Sequence, residues 1–240
     1  DYQLISTKAG TTSYIYGNIM SLVDSDNFSV LSAVSDNAFR ELFSKAPITN
    51  HPSRALLLPA TRIGKYAYCG LFSRTNITIS PKLPATYLSQ GCYAEMFQSC
   101  SALVSAPLLP STSLDKECYY AMFSDCSALT SAPDLLATVL SEQCYQYMFA
   151  GCINLTSAPE LPATVLKNRC YSEMFSRCKK LVLPPSLPAL SLAEYCYSGM
   201  FSGCTSLSSA PELPATSLAI GCYSGMFSGC FNLVMAPALP

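Results

Sequence analysis

Histidine occurs once in the 240 residues, at His51, and the chain contains no Cys-x-x-Cys pair. Those two shortages leave no closely spaced ligand set for zinc, so neither a metal nor a cofactor is expected. Charge is scarce as well: Asp, Glu, Lys and Arg make up 12% of the chain, where about a quarter is usual. With a net charge of −1, the chain lacks the excess of cations that phosphate neutralisation requires, which argues against nucleic acid as a partner. Apolar runs are short, and none approaches the roughly 18 residues that read as a membrane-spanning helix. Glycine-rich phosphate loops are also missing, and few carboxylates fall inside the regular part of the chain. An enzyme is therefore the least expected reading.

What is present is a repeat. The pattern Cys-Tyr-x-x-Met-Phe-x-x-Cys occurs at 92–100, 118–126, 144–152, 170–178, 196–204 and 222–230, at a constant interval of 26 residues. Periods of this length mark a stacked solenoid. Two degenerate copies precede these six. Ala38-Phe39-Arg40-Glu41-Leu42-Phe43 and Ala67-Tyr68-Cys69-Gly70-Leu71-Phe72 both carry Ala in place of the first Cys and Leu in place of Met. After the second Cys, each regular unit continues with x-x-Leu, usually Ala-Pro, then Leu-Pro-Ala-Thr or a variant. A further Leu leads back into the next Cys-Tyr.

The expected organisation is an N-terminal cap over residues 1–36, followed by about eight units over 37–240, the first two degenerate and the last incomplete. Within the cap, Tyr14-Ile15-Tyr16 reads as a short strand, Ile19 to Val23 as a strand or helical turn, and Asp24-Ser25-Asp26-Asn27 as a turn. His51-Pro52-Ser53, in the long interval between the first two units, reads as a surface loop. In each regular run the large residues fall at i, i+1, i+4, i+5 and i+8, which the helical template reads as a short amphipathic helix. The Pro-rich stretch that follows should be extended, with a narrow parallel strand around x-x-Ala. Strands about 4.8 Å apart opposite helices about 8–10 Å apart would bend such a stack, strands inside. The fold class is thus an α/β solenoid, a right-handed curved stack of strand-plus-helix units.

Thirteen cysteines invite a disulfide framework, but twelve of them fill two repeat columns. On a helix, eight residues span about 12 Å of rise, too far for a bridge within a unit. Both columns therefore read as small buried thiols. Met and Phe columns read as core, and the Tyr column as core with each hydroxyl reaching the rim. The three residues before the first Cys, the two after Tyr and the two after the second Cys vary between units and should face solvent. One cluster stands out: Lys167, Arg169, Arg177, Lys179 and Lys180 fall in one unit with Glu173 as the only acid among them, a candidate basic patch for an anionic polymer. Tyr87, Tyr120, Tyr147 and Tyr195 are candidate exposed anchors. Asn27, Asn76 and Asn154 each head an Asn-x-Ser/Thr pattern.

Phe-x-x-Cys-x-x-Leu followed by Pro, with Ile63-Gly64-Lys65-Tyr66-Ala67-Tyr68 as lead-in, resembles the BspA-like leucine-rich repeats of bacterial surface proteins. The likeness covers residues 37–240. The unit here is longer than that family's common one, and its Cys-Tyr and Pro-Ala-Thr elements are less typical. The resemblance implies a leucine-rich-repeat solenoid that is secreted or held at the cell surface of a gut or oral anaerobe, and that binds a host matrix protein or glycan without catalysis. The alternative is a spacer that projects another domain. Because the sequence stops at Leu239-Pro240, midway through a unit, an uncapped C-terminal end prone to association is also expected.

Overall fold

The structure, a computed structural model, describes residues 13–235 and residue 237. The first twelve residues of the expected cap, and the stop at Leu239-Pro240, lie outside the described residues.

The chain is a repeat solenoid. Among the described residues its N-terminal part holds seven short strands. β1 (Ser13–Ile15) pairs in parallel with β4 (Ile48–Asn50), and β2 (Gly17–Asn18) with β5 (Leu56–Leu57). β3 (Ala33–Val34) pairs with β6 (Arg62–Ile63), which in turn pairs with β7 (Tyr87–Leu88). Further along, pairing shrinks to single parallel bridges 26 residues apart, such as Ser131 with Ser157 and Ser157 with Leu183. These bridges fall at the expected x-x-Ala position. Proline in each unit removes ladder donors and keeps the pairing to one residue.

Residues 13–34 amount to three strands of a unit. β1, β2 and β3 meet β4, β5 and β6 in order, so the segment continues the parallel pairing of the units that follow. A 3₁₀ turn at Ile19–Leu22 occupies the ambiguous segment, with its first amide turn capped by the Asn18 side chain. Asp24 Oδ1 accepts from the backbone N–H groups of Asp26 and Asn27, which makes the expected turn.

The helix expected over each Cys-Tyr-x-x-Met-Phe-x-x-Cys run does not form. Among the described residues there is no α-helix, only the 3₁₀ turns Ile19–Leu22 and Phe28–Val30. Each run is instead a ladder of consecutive turns. In the unit at 144–152, Gln146, Met148, Ala150 and Cys152 donate their N–H groups three residues back along their own chain, at 3.0–3.2 Å. Tyr145, Tyr147, Phe149 and Gly151, between them, donate sideways to Cys170, Ser172, Met174 and Ser176 of the next unit, at 2.7–3.0 Å. A helix spends every N–H on itself. This ladder spends every second one on its neighbour, so adjacent units are joined by backbone as strands are.

The geometry requires a left-handed residue at every fourth position. Gln143, Tyr147 and Gly151 have φ of 57°, 59° and 75°, and the same three positions recur in all eight runs, held mostly by residues other than glycine. A repeat of four also explains the side-chain pattern. Two inward residues, one intermediate and one outward give i, i+1, i+4, i+5, i+8 without the drift of a 3.6-residue helix.

The inward residues stack into continuous columns. Tyr68, Tyr93, Tyr119, Tyr145, Tyr171 and Tyr197 are 1% exposed, and the Phe, Met and both Cys columns of the central units are 0% exposed. Rings repeat at centroid distances of 5.7–6.1 Å along the Tyr ladder and 5.6–5.9 Å along the Phe ladder, nearly parallel in most pairs. That spacing suits stacked aromatics and lies within about 1 Å of the strand spacing. The large mismatch from which bending was expected is therefore absent. In the first run Leu42 is 47% exposed although its column partners are core, since among the described residues no earlier run packs against it.

Candidate functional site

All thirteen cysteines are free thiols, twelve buried and Cys230 half-buried. The second column has a backbone role that the sequence does not reveal. Cys126, Cys152, Cys178 and Cys204 donate their S–H groups to the carbonyls of Phe97, Phe123, Phe149 and Phe175 in the preceding unit, at 3.0–3.1 Å. Burial pushes these thiols up: Cys204 stands at about 12, as do Cys170 and Cys196 of the first column. Thiols held protonated in this way are poor nucleophiles and poor metal ligands. Among the described residues no group of three or more His, Cys, Asp and Glu is arranged to hold a metal ion.

At four positions of the Tyr column the expected rim contact is not made. The hydroxyls of Tyr68, Tyr93, Tyr119 and Tyr171 are buried with no hydrogen-bond partner, since a fully inward ring leaves its hydroxyl inside the stack. Burial holds all four well above the usual phenol range.

Display falls to the three left-handed columns, whose side chains point away from the stack. Here identity changes from unit to unit: one column runs Tyr66, Gly91, Glu117, Gln143, Arg169, Tyr195, Gly221. Large side chains reach across the next unit where that unit offers glycine. At Gly151 a Cβ would collide with the Asp125 carboxylate, and with glycine there Asp125 reaches Arg177, two units away, at 3.6 Å. At Gly221 a Cβ would strike the Tyr195 ring, which lies flat against that backbone. Tyr195 in turn carries the Arg169 guanidinium 4.8 Å from its centroid.

The structure places Lys167, Arg169, Arg177, Lys179 and Lys180 all on the surface. Lys167 and Arg169 stand before the turn run 170–178, Arg177 lies at its end and Lys179 and Lys180 follow it. Arg169 is stacked on Tyr195 and Arg177 is paired with Asp125, whereas Lys167, Lys179 and Lys180 make no ion pair among the described residues. Of the four candidate anchors only Tyr87 is exposed, at 66%, with the Arg62 guanidinium 5.0 Å from its ring centroid. Tyr120, Tyr147 and Tyr195 are half-buried: Tyr120 and Tyr147 meet edge to face at 5.7 Å, and the Tyr147 hydroxyl donates to Glu173 Oε1 at 2.9 Å. The variable residue just after Tyr is also less exposed than expected, with Ala94, Gln146 and Ser172 buried. That position lies one step before the left-handed residue and tucks under its neighbour.

No family model, curated protein or solved structure matches the chain.

Proposed function

We propose that this chain is a non-catalytic binding module, secreted or held at a cell surface, whose turn face recognises a host protein or glycan. The single observation that supports this reading is the division of labour within each unit. Inward columns repeat the same residue from unit to unit, while the outward left-handed columns change. Such a scaffold keeps its stacking constant and varies only what it presents, as extended repeat proteins do. The resemblance of Phe-x-x-Cys-x-x-Leu-plus-Pro units to BspA-like leucine-rich repeats points the same way, and we assign the finer fold to that class on the same ground.

Flanking the face, Lys167, Lys179 and Lys180 are the candidate cations left available for an anionic partner, with Arg169 and Tyr195 forming a stacked pair beside them. The test is binding of the purified protein to an array of matrix proteins and of sulfated and uronic-acid glycans. Saturable binding that weakens about tenfold in Lys179→Glu/Lys180→Glu, and weakens with salt, supports the reading. Silence across the array would favour a spacer that carries another domain.

A further inference from the structure

At the N-terminal end of the stack, opposite in sequence register to the turn face, the longer first interval builds a groove. It has a volume of about 780 Å³ and lies between the loop 50–59 and the segment 79–84. That size is in the range of ligand pockets, about 300–1,000 Å³. Three features define its chemistry.

The first is rigidity. Asn50 Oδ1 accepts from the N–H groups of Thr78 and Ile79 at 2.8 and 3.0 Å and from the Thr78 hydroxyl at 3.2 Å, while its Nδ2 donates to the Ile79 carbonyl at 2.8 Å. One side chain thus fastens the two walls together. His51 fixes the loop itself: its Nδ1 accepts from the N–H groups of Ser53 and Arg54, both at 3.1 Å. The His51 ring is held edge-on by Tyr14 and Tyr16, at 5.4 and 4.9 Å.

The second is charge. Arg54 and Lys82 line the groove and are exposed, and none of the lining residues is acidic. Arg54 is steadied by the Tyr16 ring, 4.9 Å from guanidinium to centroid.

The third is a scarcity of free polar groups, with Ser53 and Ser80 the only hydroxyl side chains among the lining residues. Asn50 and two loop amides are already committed, and prolines supply no N–H. The walls are instead apolar, formed by Pro52, Leu57, Ile79 and Pro84, with Leu57 50% and Ile79 58% exposed. A sugar would find few partners for its hydroxyls here. A fatty acid would leave its chain in water, because the groove lies open along one side.

We infer that this groove is a second binding site, for a short acidic peptide segment in which a carboxylate side chain neighbours an aliphatic one. Carboxylates pair with Arg54 and Lys82, and the aliphatic group packs on Leu57, Ile79 and the proline walls. The site is separate from the turn face and does not depend on the function proposed for it.

The probe is a set of end-capped hexapeptides in which Asp or Glu alternates with Leu or Ile, titrated into the whole protein by fluorescence anisotropy. Controls replace the acids by Lys or the aliphatic residues by Ser. The expected result is saturable binding of the acidic-aliphatic peptides alone. Arg54→Glu/Lys82→Glu should weaken it at least about tenfold, the size of a lost charge-assisted bond, and Leu57→Ser/Ile79→Ser should weaken it comparably. Lys179→Glu/Lys180→Glu should leave it unchanged. Circular dichroism and the milder Arg54→Gln variant confirm that the fold is intact. Absence of saturable binding, equal binding of the Lys controls, indifference to the charge reversal, or preference for uronic-acid oligosaccharides would each overturn the assignment.

Discussion

The carbonyls of Phe97, Phe123, Phe149, Phe175 and Phe201 each take two donors from two different units, and this sets the residue in the second cysteine column. Phe123 O accepts the Cys126 N–H of its own unit and the Cys152 S–H of the next, both at 3.1 Å. The side chain there must be small, apolar enough for a dry interior and able to donate. Cysteine meets all three needs, being a small hydrophobe with a weak S–H donor. In the second degenerate unit Thr75 stands in this column, and its hydroxyl donates to the Phe72 carbonyl of its own unit, at 2.8 Å, where the cysteines donate to the preceding unit. Threonine and valine have the same shape and differ in that donor. Cys152→Thr is therefore expected to be more stable than Cys152→Val by about 1 kcal/mol, the worth of one buried hydrogen bond, as read from urea unfolding. Equal stability of the two would show that the column is chosen for volume alone.

At the scale of the element, the sequence disclosed the unit and concealed its backbone. The 26-residue period, the inward Cys, Tyr, Met and Phe columns and the bridge at x-x-Ala are all legible, because stacking demands the same apolar residue in every copy. The turn ladder is not, for a physical reason. A spacing of i, i+1, i+4, i+5, i+8 fits both a 3.6-residue helix and a four-residue turn repeat over so short a run. The distinguishing mark would be glycine at every fourth position. Gly221, Gly225 and Gly229 show it in full, but Arg169, Glu173 and Arg177 occupy the same left-handed sites and hide it. Strong inter-unit bonding holds these residues at positive φ, at a cost of about 1 kcal/mol each. The candidate site divides similarly. Exposure of Lys167, Arg169, Lys179 and Lys180 was readable from variation between units, whereas the pairing of Arg177 with Asp125 across Gly151, and the groove beside His51, depend on which units face each other. Arg74 separates the two backbones directly: it is exposed, with φ of 59°. In a turn ladder Arg74→Gly is expected to be more stable than Arg74→Ala by about 1 kcal/mol. In a helix the order reverses by about the same amount. Urea midpoints of the two variants decide between them.

For the whole molecule, stability is the sum of interfaces between like units, each joined by alternate backbone bonds and two ring ladders. A solenoid of this kind has no unique centre, so a complete unit can be removed if the columns on either side rejoin in register. The decisive measurement is equilibrium urea unfolding of two internal deletions. Removal of residues 144–169, one full period, brings Gln143 onto Cys170 and restores every column. The account predicts a cooperatively folded protein whose denaturant slope falls by about one eighth, in proportion to the surface buried. Removal of residues 144–156, half a period, puts turn runs against extended segments and should abolish folding. If the full-period deletion unfolded the chain as thoroughly as the half-period one, the unit-by-unit stack would be contradicted.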